Sequence, residues 1–255
     1  MFCFETKQLT VGYNGKPLIK DINIQLGKGK ILTLIGPNGG GKSTVLKSIT
    51  KHIKTLSGRM FIGEKPADAL TNNDFAKTVS VLLTGKLKTE LMTCYDVVAS
   101  GRYPYTGLLG ILSGNDKAQV QAAMEITDAW DLRGRDFSEV SDGQRQRVNL
   151  ARAICQEPEI IVLDEPTSFL DVRYALELLQ TLRDMADNRG ITVIMSLHEL
   201  NYAQKVSDFV CCVKGEYITR CGTPEEIFTR KIIAELYDLQ GGEMSEWVLK
   251  TYTET

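Results

Sequence analysis

An α/β fold with a mostly parallel sheet, an N-terminal antiparallel β-layer and an inserted α-helical subdomain is predicted by three observations. LTVGYNGKPLIKDINIQL alternates apolar and polar residues around Asn14-Gly15, as an antiparallel hairpin does. PEIIVLDEP and GITVIMSLHEL are apolar runs with β-branched residues and no alternation, the pattern of parallel strands covered on both faces. From about Leu91 to Gln156 apolar residues recur at helical spacing and β-branched clusters are sparse. A length of 255 residues, 43% hydrophobic and 24% charged, allows a sizeable core. With 30 basic against 32 acidic residues the net charge is -2, so no overall positive field gathers nucleic acid or anionic lipid. Nucleic acid is not an expected partner.

Taken in order, the first element is the hairpin, whose Asn-Gly pair favours a type I′ turn. KILTLIG follows, an apolar run that stops in glycine, and beyond Lys42 the spacing of Val45, Leu46 and Ile49 is helical. The join between them, Gly36 to Thr44 (GPNGGGKST), matches GxxxxGK[ST]. In that motif backbone N–H groups wrap phosphates, the lysine reaches the β/γ pair and the hydroxyl ligates magnesium. Gly36, Pro37, Asn38, Gly39, Gly40, Gly41, Lys42, Ser43 and Thr44 are therefore candidate ATP contacts, with Ser43 on the metal. Residues without a Cβ turn tightly enough to bring N–H groups against an oxygen, and the helix after them adds its positive end. By average composition such a pattern arises by chance in about one chain in a hundred of this size.

The helical stretch closes with SEVSDGQRQRV, where Ser141, Asp142 and Gly143 open a helix with Val148, Ala151 and Ile154 inward. A polar cap on an ordinary amphipathic helix and a second anion cradle are both open readings. PEIIVLDEP then ends in Asp164, a candidate to hold magnesium through water, and Glu165, which is either a helix-capping acid or the base or orienter of an attacking water. GITVIMSLHEL ends beside His198, which is either a satisfied core histidine or a γ-phosphate contact. Ligands of open parallel α/β sheets collect beyond the carboxyl ends of the strands, so Gly36, Asp164, Glu165 and His198 are expected to face one crevice.

TPEEIFTRKIIAELY reads as one helix, with Thr223 at the N-cap, Pro224 in the first turn and Glu226 completing a capping box. The tail GGEMSEWVLKTYTET is uninformative. Cys3, Cys94, Cys155, Cys211, Cys212 and Cys221 show no CxxC or Cys/His spacing and are expected as reduced core fillers, with a metal site the lesser reading. No apolar run approaches the roughly 20 residues that span a bilayer, and the start lacks a signal-peptide pattern, so a cytoplasmic chain is expected.

VSDGQRQRVNLARA resembles the LSGGQ signature of ABC ATPases, and the other motifs of that family stand around it in order. Tyr13 falls at the adenine-stacking aromatic, Gly36 to Thr44 at Walker A, Ser141 to Gln144 at the signature, Asp164 and Glu165 at Walker B, Ser168 to Asp171 (SFLD) at the D-loop, and His198 at the switch histidine. The resemblance implies a P-loop NTPase core over about 1–90 and 157–255, a helical subdomain over about 91–156, and one ABC ATPase domain over 1–255. It also implies ATP and magnesium as cofactors. Tyr13 could simply pack, yet an exposed aromatic there could stack adenine for about 0.5 to 1.5 kcal/mol. Two nucleotide-binding units of this family pack head to tail, and the signature of one closes over the γ-phosphate held by the Walker A loop of the other. Ser141, Gly143 and Gln144 are thus candidate contacts to a partner's ATP, while Lys42, Glu165 and His198 are candidate catalytic residues. A single motif set implies a second copy, or a relative, as partner.

Two positions depart from the family pattern. Asp142 replaces the first glycine of GGQ and must point away from a triphosphate, although members of the iron-chelate importer branch also carry aspartate there. Thr84, in VSVLLTGK, falls where the Q-loop glutamine is usual; it is expected to reach the metal through an added water, with slower or less tightly coupled hydrolysis. GRYPYTGLLGILSGND, LDVRYALELL and GTPEEIF resemble segments of siderophore, haem and cobalamin importer ATPases. That implies an ATP-hydrolysing subunit on the cytoplasmic face of the membrane, bound to permease subunits and served indirectly by a substrate-binding protein. An ABC ATPase of another transporter class and a nucleotide-gated module with weak hydrolysis are the alternatives.

Overall fold

The computed structural model describes residues 2–83, 91–107, 110–168, 170–239 and 241–253. Strands β1 (Phe2–Tyr13), β2 (Lys16–Gly27) and β3 (Ile31–Ile35) precede helix α1 (Lys42–Ile49) and strands β4 (Ser57–Ile62) and β5 (Lys65–Pro66). Helix α2 (Asn72–Thr78), strand β6 (Val79–Leu82), helices α3 (Cys94–Ala99), α4 (Gly114–Ile126) and α5 (Asp142–Cys155), strand β7 (Ile160–Asp164) and helix α6 (Val172–Arg189) follow. The chain ends with β8 (Thr192–Ser196), α7 (Leu200–Val206), β9 (Phe209–Lys214), β10 (Tyr217–Gly222), α8 (Pro224–Ile227), α9 (Arg230–Tyr237) and α10 (Glu243–Thr253). These elements form two compact units, Met1–Ala69 with Thr192–Thr255, and Leu70–Ile191.

In the first unit the strands run in the order β5-β4-β1-β2-β10-β9-β3-β8. The β5-β4-β1-β2 part is antiparallel, and its hairpin closes where Asn14 (φ 51°) and Gly15 (φ 76°) both take positive φ, as a type I′ turn requires. Ile19, Ile22, Ile24 and Leu26 are the buried set on β2, so the alternation read from the sequence is the burial of one face. In contrast, β9, β3 and β8 are parallel, and every residue of β3 and β8 is buried. That explains their unbroken apolar runs.

The second unit pairs β6 with β7 in parallel, from Val79 opposite Ile160 to Leu82 opposite Leu163, and buries β7 completely. Helices α3, α4 and α5 pack on one another, and all three lie within the 91–156 stretch. Val148, Ala151 and Ile154 are buried on α5, as their spacing predicts.

Two expectations need correction, and one segment on which the sequence was silent gains a structure. The segment from Thr223 to Tyr237 is two helices, because the backbone is extended at Thr229 (φ -98°, ψ 148°) and the Thr229 hydroxyl caps a new helix at Ile232 N–H. The tail forms α10. Cys211 and Cys221 are not separate thiols: they stand opposite each other in the antiparallel β9–β10 pair, Cα atoms 4.2 Å apart, and are joined as a disulfide. The expectation of reduced core fillers fails for this pair because the sequence pattern assigns no strand pairing to the segment that holds it. Cys94, Cys155 and Cys212 are buried free thiols, and burial pushes the last two up to about 12.

Candidate functional site

The glycine-rich loop lies in the first unit, between buried β3 and α1. Gly36 has φ 145°, and a Cβ there would sit 2.1 Å from the Val213 carbonyl oxygen on β9. Gly41, the N-cap of α1, has φ 97°, and a Cβ would come within 2.7 Å of Ile19. Both positions demand glycine for geometry and space together. Lys42 is 4% exposed; its Nζ donates to the carbonyls of Gly36 at 2.7 Å and Pro37 at 3.1 Å, so the loop holds its own lysine in place. Gly40 N–H donates to the Pro37 carbonyl at 3.1 Å, which tightens the turn around Asn38 and Gly39. Ser43 and Thr44 stand in the first turn of α1, at the positive end of the helix dipole.

Two further predicted residues join this loop. Tyr13 ends β1 with 46% exposure, and Thr44 Oγ1 donates to its hydroxyl at 3.4 Å. Leu197 N–H donates to the Leu34 carbonyl, two residues before Gly36, which puts half-buried His198 at the loop end of the β3–β8 pair. Sequence reasoning missed a third neighbour, Tyr237 at the end of α9. Burial pushes its phenol up to about 12, partly offset by a hydrogen bond with the Gly36 backbone. Lys214 supports that arrangement by donating to Asp238 Oδ1 at 2.6 Å and to the Glu235 carbonyl.

The second unit carries the acidic pair and the helix opened by Ser141. Asp164 is the last residue of β7 and 1% exposed. Glu165 has φ 50°, a left-handed backbone that costs a residue with a Cβ about 1 to 2 kcal/mol. Ser168 holds that turn, its N–H on the Glu165 carbonyl at 3.1 Å and its hydroxyl on Glu165 Oε2 at 3.3 Å. Gln146 on α5, another residue the sequence did not single out, donates to the Pro166 carbonyl at 2.9 Å and ties this turn to the helix.

The start of α5 is a full capping box. Ser141 Oγ accepts from Gln144 N–H at 3.3 Å, and Gln144 Oε1 accepts from Ser141 N–H at 3.1 Å. The carboxylate of Asp142 is taken up by Arg145 on the same helix, at 2.5 Å. A Cβ on Gly143 would lie 3.4 Å from the Tyr174 ring, so this turn passes close against α6. Thr84, expected at the metal, lies outside the described residues, as does Phe169 of the SFLD segment.

Residues 19–168 match the family model described as ABC transporter. The chain is 39% identical over 242 residues to an uncharacterised ABC transporter ATP-binding protein of Methanocaldococcus jannaschii, covering 95% of this chain and 83% of that protein. It is 34% identical over 239 residues to the iron(3+)-hydroxamate import ATP-binding protein FhuC of Bacillus subtilis, covering 94% and 89%. Its fold matches a metal-chelate type ABC transporter solved in an inward-facing conformation, with a TM-score of 0.81, 24% identity and coverage of 94% and 90%.

Proposed function

The chain belongs to the ABC transporter family as an ATP-binding, ATP-hydrolysing subunit, and from that premise we propose that it powers import of an iron chelate (siderophore or haem) or cobalamin. Its partners in this reading are a second nucleotide-binding subunit, most simply another copy, and permease subunits at the cytoplasmic face of the membrane. An external binding protein delivers the chelate to them. No helix of the described residues is long and apolar enough to cross a membrane. The observation that carries the ATPase reading is the loop 36–44, whose lysine rests on the carbonyls of Gly36 and Pro37. The chelate class is carried by relatives such as FhuC, named for iron(3+)-hydroxamate import.

In this reading Tyr13 stacks on adenine, and the N–H groups of residues 36–44 wrap the phosphates. Lys42 exchanges its loop carbonyls for phosphate oxygens. The Ser43 hydroxyl and the Asp164 carboxylate are hard oxygen donors of the kind magnesium takes together with phosphate oxygens and water. Among the described residues no cluster of three or more His, Cys, Asp or Glu would cage a metal without them. Magnesium held by these groups would neutralise charge on the phosphates. Thr84, outside the described residues, would be a further metal contact through water. Glu165 orients the attacking water, and His198 contacts the γ-phosphate. Ser141, Gly143 and Gln144 of one copy roof the ATP held by the other, with Asp142 kept aside by Arg145.

Copurification with the permease encoded beside it, reconstituted in vesicles, tests the whole reading. ATP-dependent uptake of ferric siderophore, haem or cobalamin is the expected result; uptake of none, with ATPase unaffected by the permease, rejects the importer assignment. Glu165→Gln is expected to keep ATP bound while turnover falls on the order of 100-fold or more. Rapid turnover by that variant removes Glu165 from its role.

A further inference from the structure

We propose that Arg102, assisted by Tyr105, is a positioning residue for ATP hydrolysis: it grips the C-terminal end of α5 and so fixes where the Ser141–Gly143 corner at the other end stands. The inference rests on the composite-site reading above. The last carbonyls of a helix find no donor within it and must be met from outside. At the end of α5 two consecutive carbonyls are met by one short segment. Arg102 Nη1 donates to the Cys155 carbonyl at 2.7 Å, and the Tyr105 hydroxyl donates to the Gln156 carbonyl at 3.0 Å. Arg102 Nη1 also reaches Glu157 Oε2 at 2.7 Å, and its Nε reaches Asp116 Oδ1 at 2.9 Å.

This guanidinium is only 2% exposed, and its carbon lies 4.0 Å from the centre of the Tyr105 ring. Gly101 brings the segment flush with α5, since a Cβ there would lie 2.4 Å from the Arg152 carbonyl oxygen. Asp116 belongs to the capping box that opens α4, so one side chain joins the start of α4 to the end of α5. Positive charge also suits a helix C-terminus. On the far side of the same end, Gln156 Nε2 donates to the Ala76 carbonyl and, at 2.9 Å, to the Val79 carbonyl where β6 begins. The end of α5 is therefore anchored from two directions.

The anchor matters because α5 is a lever. Its 14 residues make a rod about 21 Å long at about 1.5 Å per residue, so a tilt of about 5° at the anchored end moves the other by about 2 Å. A displacement of about 1 Å in a group that completes a reactive site can cost on the order of 100-fold in rate. Arg102 acts through its planar fork, which addresses Asp116 by Nε and Cys155 with Glu157 by Nη1. Lysine keeps the charge but is a point donor on a flexible stem and cannot hold that set in one plane.

The test compares wild type, Arg102→Lys and Tyr105→Phe as the full chain with its permease. For Arg102→Lys, binding of the fluorescent nucleotide MANT-ATP is expected to be unchanged, because the loop 36–44 belongs to the other compact unit. Its kcat is expected to fall about 10-fold or more with KM little changed. Tyr105→Phe removes one hydrogen bond at the rim; it should keep the thermal midpoint and lose about 2- to 5-fold in kcat. Wild-type kcat in both variants overturns the inference, and so does a loss of kcat matched by an equal loss of MANT-ATP binding, which is the signature of a merely structural role. Should Arg102→Lys fail to fold, Tyr105→Phe alone decides. A wild-type chain that neither binds nor hydrolyses ATP overturns the functional reading itself, and this inference with it.

Discussion

Asp116 shows how one carboxylate can serve two helices. Its Oδ2 accepts from the Ser113 hydroxyl at 2.6 Å and from Ser113 N–H at 2.9 Å, while Oδ1 takes Arg102 Nε. The Ser113 hydroxyl and N–H, with Arg102, outweigh burial and hold its carboxyl below the usual carboxylate range. A pKa depressed in the folded state contributes stability that is present above the unfolded value, about 3.9, and lost as pH falls through the folded one. Asp116→Asn is therefore expected to be less stable than wild type at neutral pH, with the gap closing as pH falls below about 4. Urea unfolding at a series of pH values measures this, and a gap that is the same at pH 7 and pH 3 contradicts it. The residues most legible in the sequence are those whose role is fixed by near neighbours. Gly36, Gly41 and Lys42 share one turn, so spacing alone announces them. Tyr237, Gln146 and Arg102 act on groups far along the chain from their own positions, and no local pattern marks such contacts.

Elements divide along the same line. The hairpin turn at Asn14-Gly15, the buried strands β3, β7 and β8, and the amphipathic α5 were legible because turn chemistry and periodicity are local. The β9–β10 hairpin was not, since FVCCV is an unbroken apolar run, buried from Val210 to Val213, with the pattern of a parallel strand, while β10 is largely exposed and gives little apolar signal. The break between α8 and α9 was hidden because apolar spacing continues through Phe228 and the cap at Thr229 depends on backbone conformation. Caps also explain a residue of the SFLD segment. Asp171 is the N-cap of the 18-residue α6, its Oδ1 accepting from Tyr174 N–H at 3.0 Å. Asp171→Ala is expected to cost about 1 kcal/mol in urea unfolding, and Asp171→Asn to recover most of it, because asparagine caps as well as aspartate. Equal losses in the two variants would show that charge, and not the cap, is what α6 needs.

At the scale of the whole molecule, the proposed site takes two cradles while the chain carries one set of motifs. If the loop 36–44 of one chain is completed by the Ser141–Gly143 corner of another, a pair related by two-fold symmetry holds two equivalent sites, each built from different parts of both chains. Defects in the two parts must then complement. Lys42→Ala disables the loop and leaves the α5 corner intact; Ser141→Arg blocks the corner, at a cap cost of about 1 kcal/mol, and leaves the loop intact. Each variant alone can form no sound site. In a mixed pair, one site joins both defects and the other joins the intact loop of the second chain to the intact corner of the first. Random pairing at equal concentrations makes about half of the pairs mixed, each with one working site of two, so about one quarter of wild-type ATPase should return. Steady-state hydrolysis of each variant and of the mixture measures it, with exchange between pairs verified by differently labelled chains. A mixture as silent as its components, although its chains have exchanged, would mean that the α5 corner serves no neighbour and that nucleotide is closed off within a single chain.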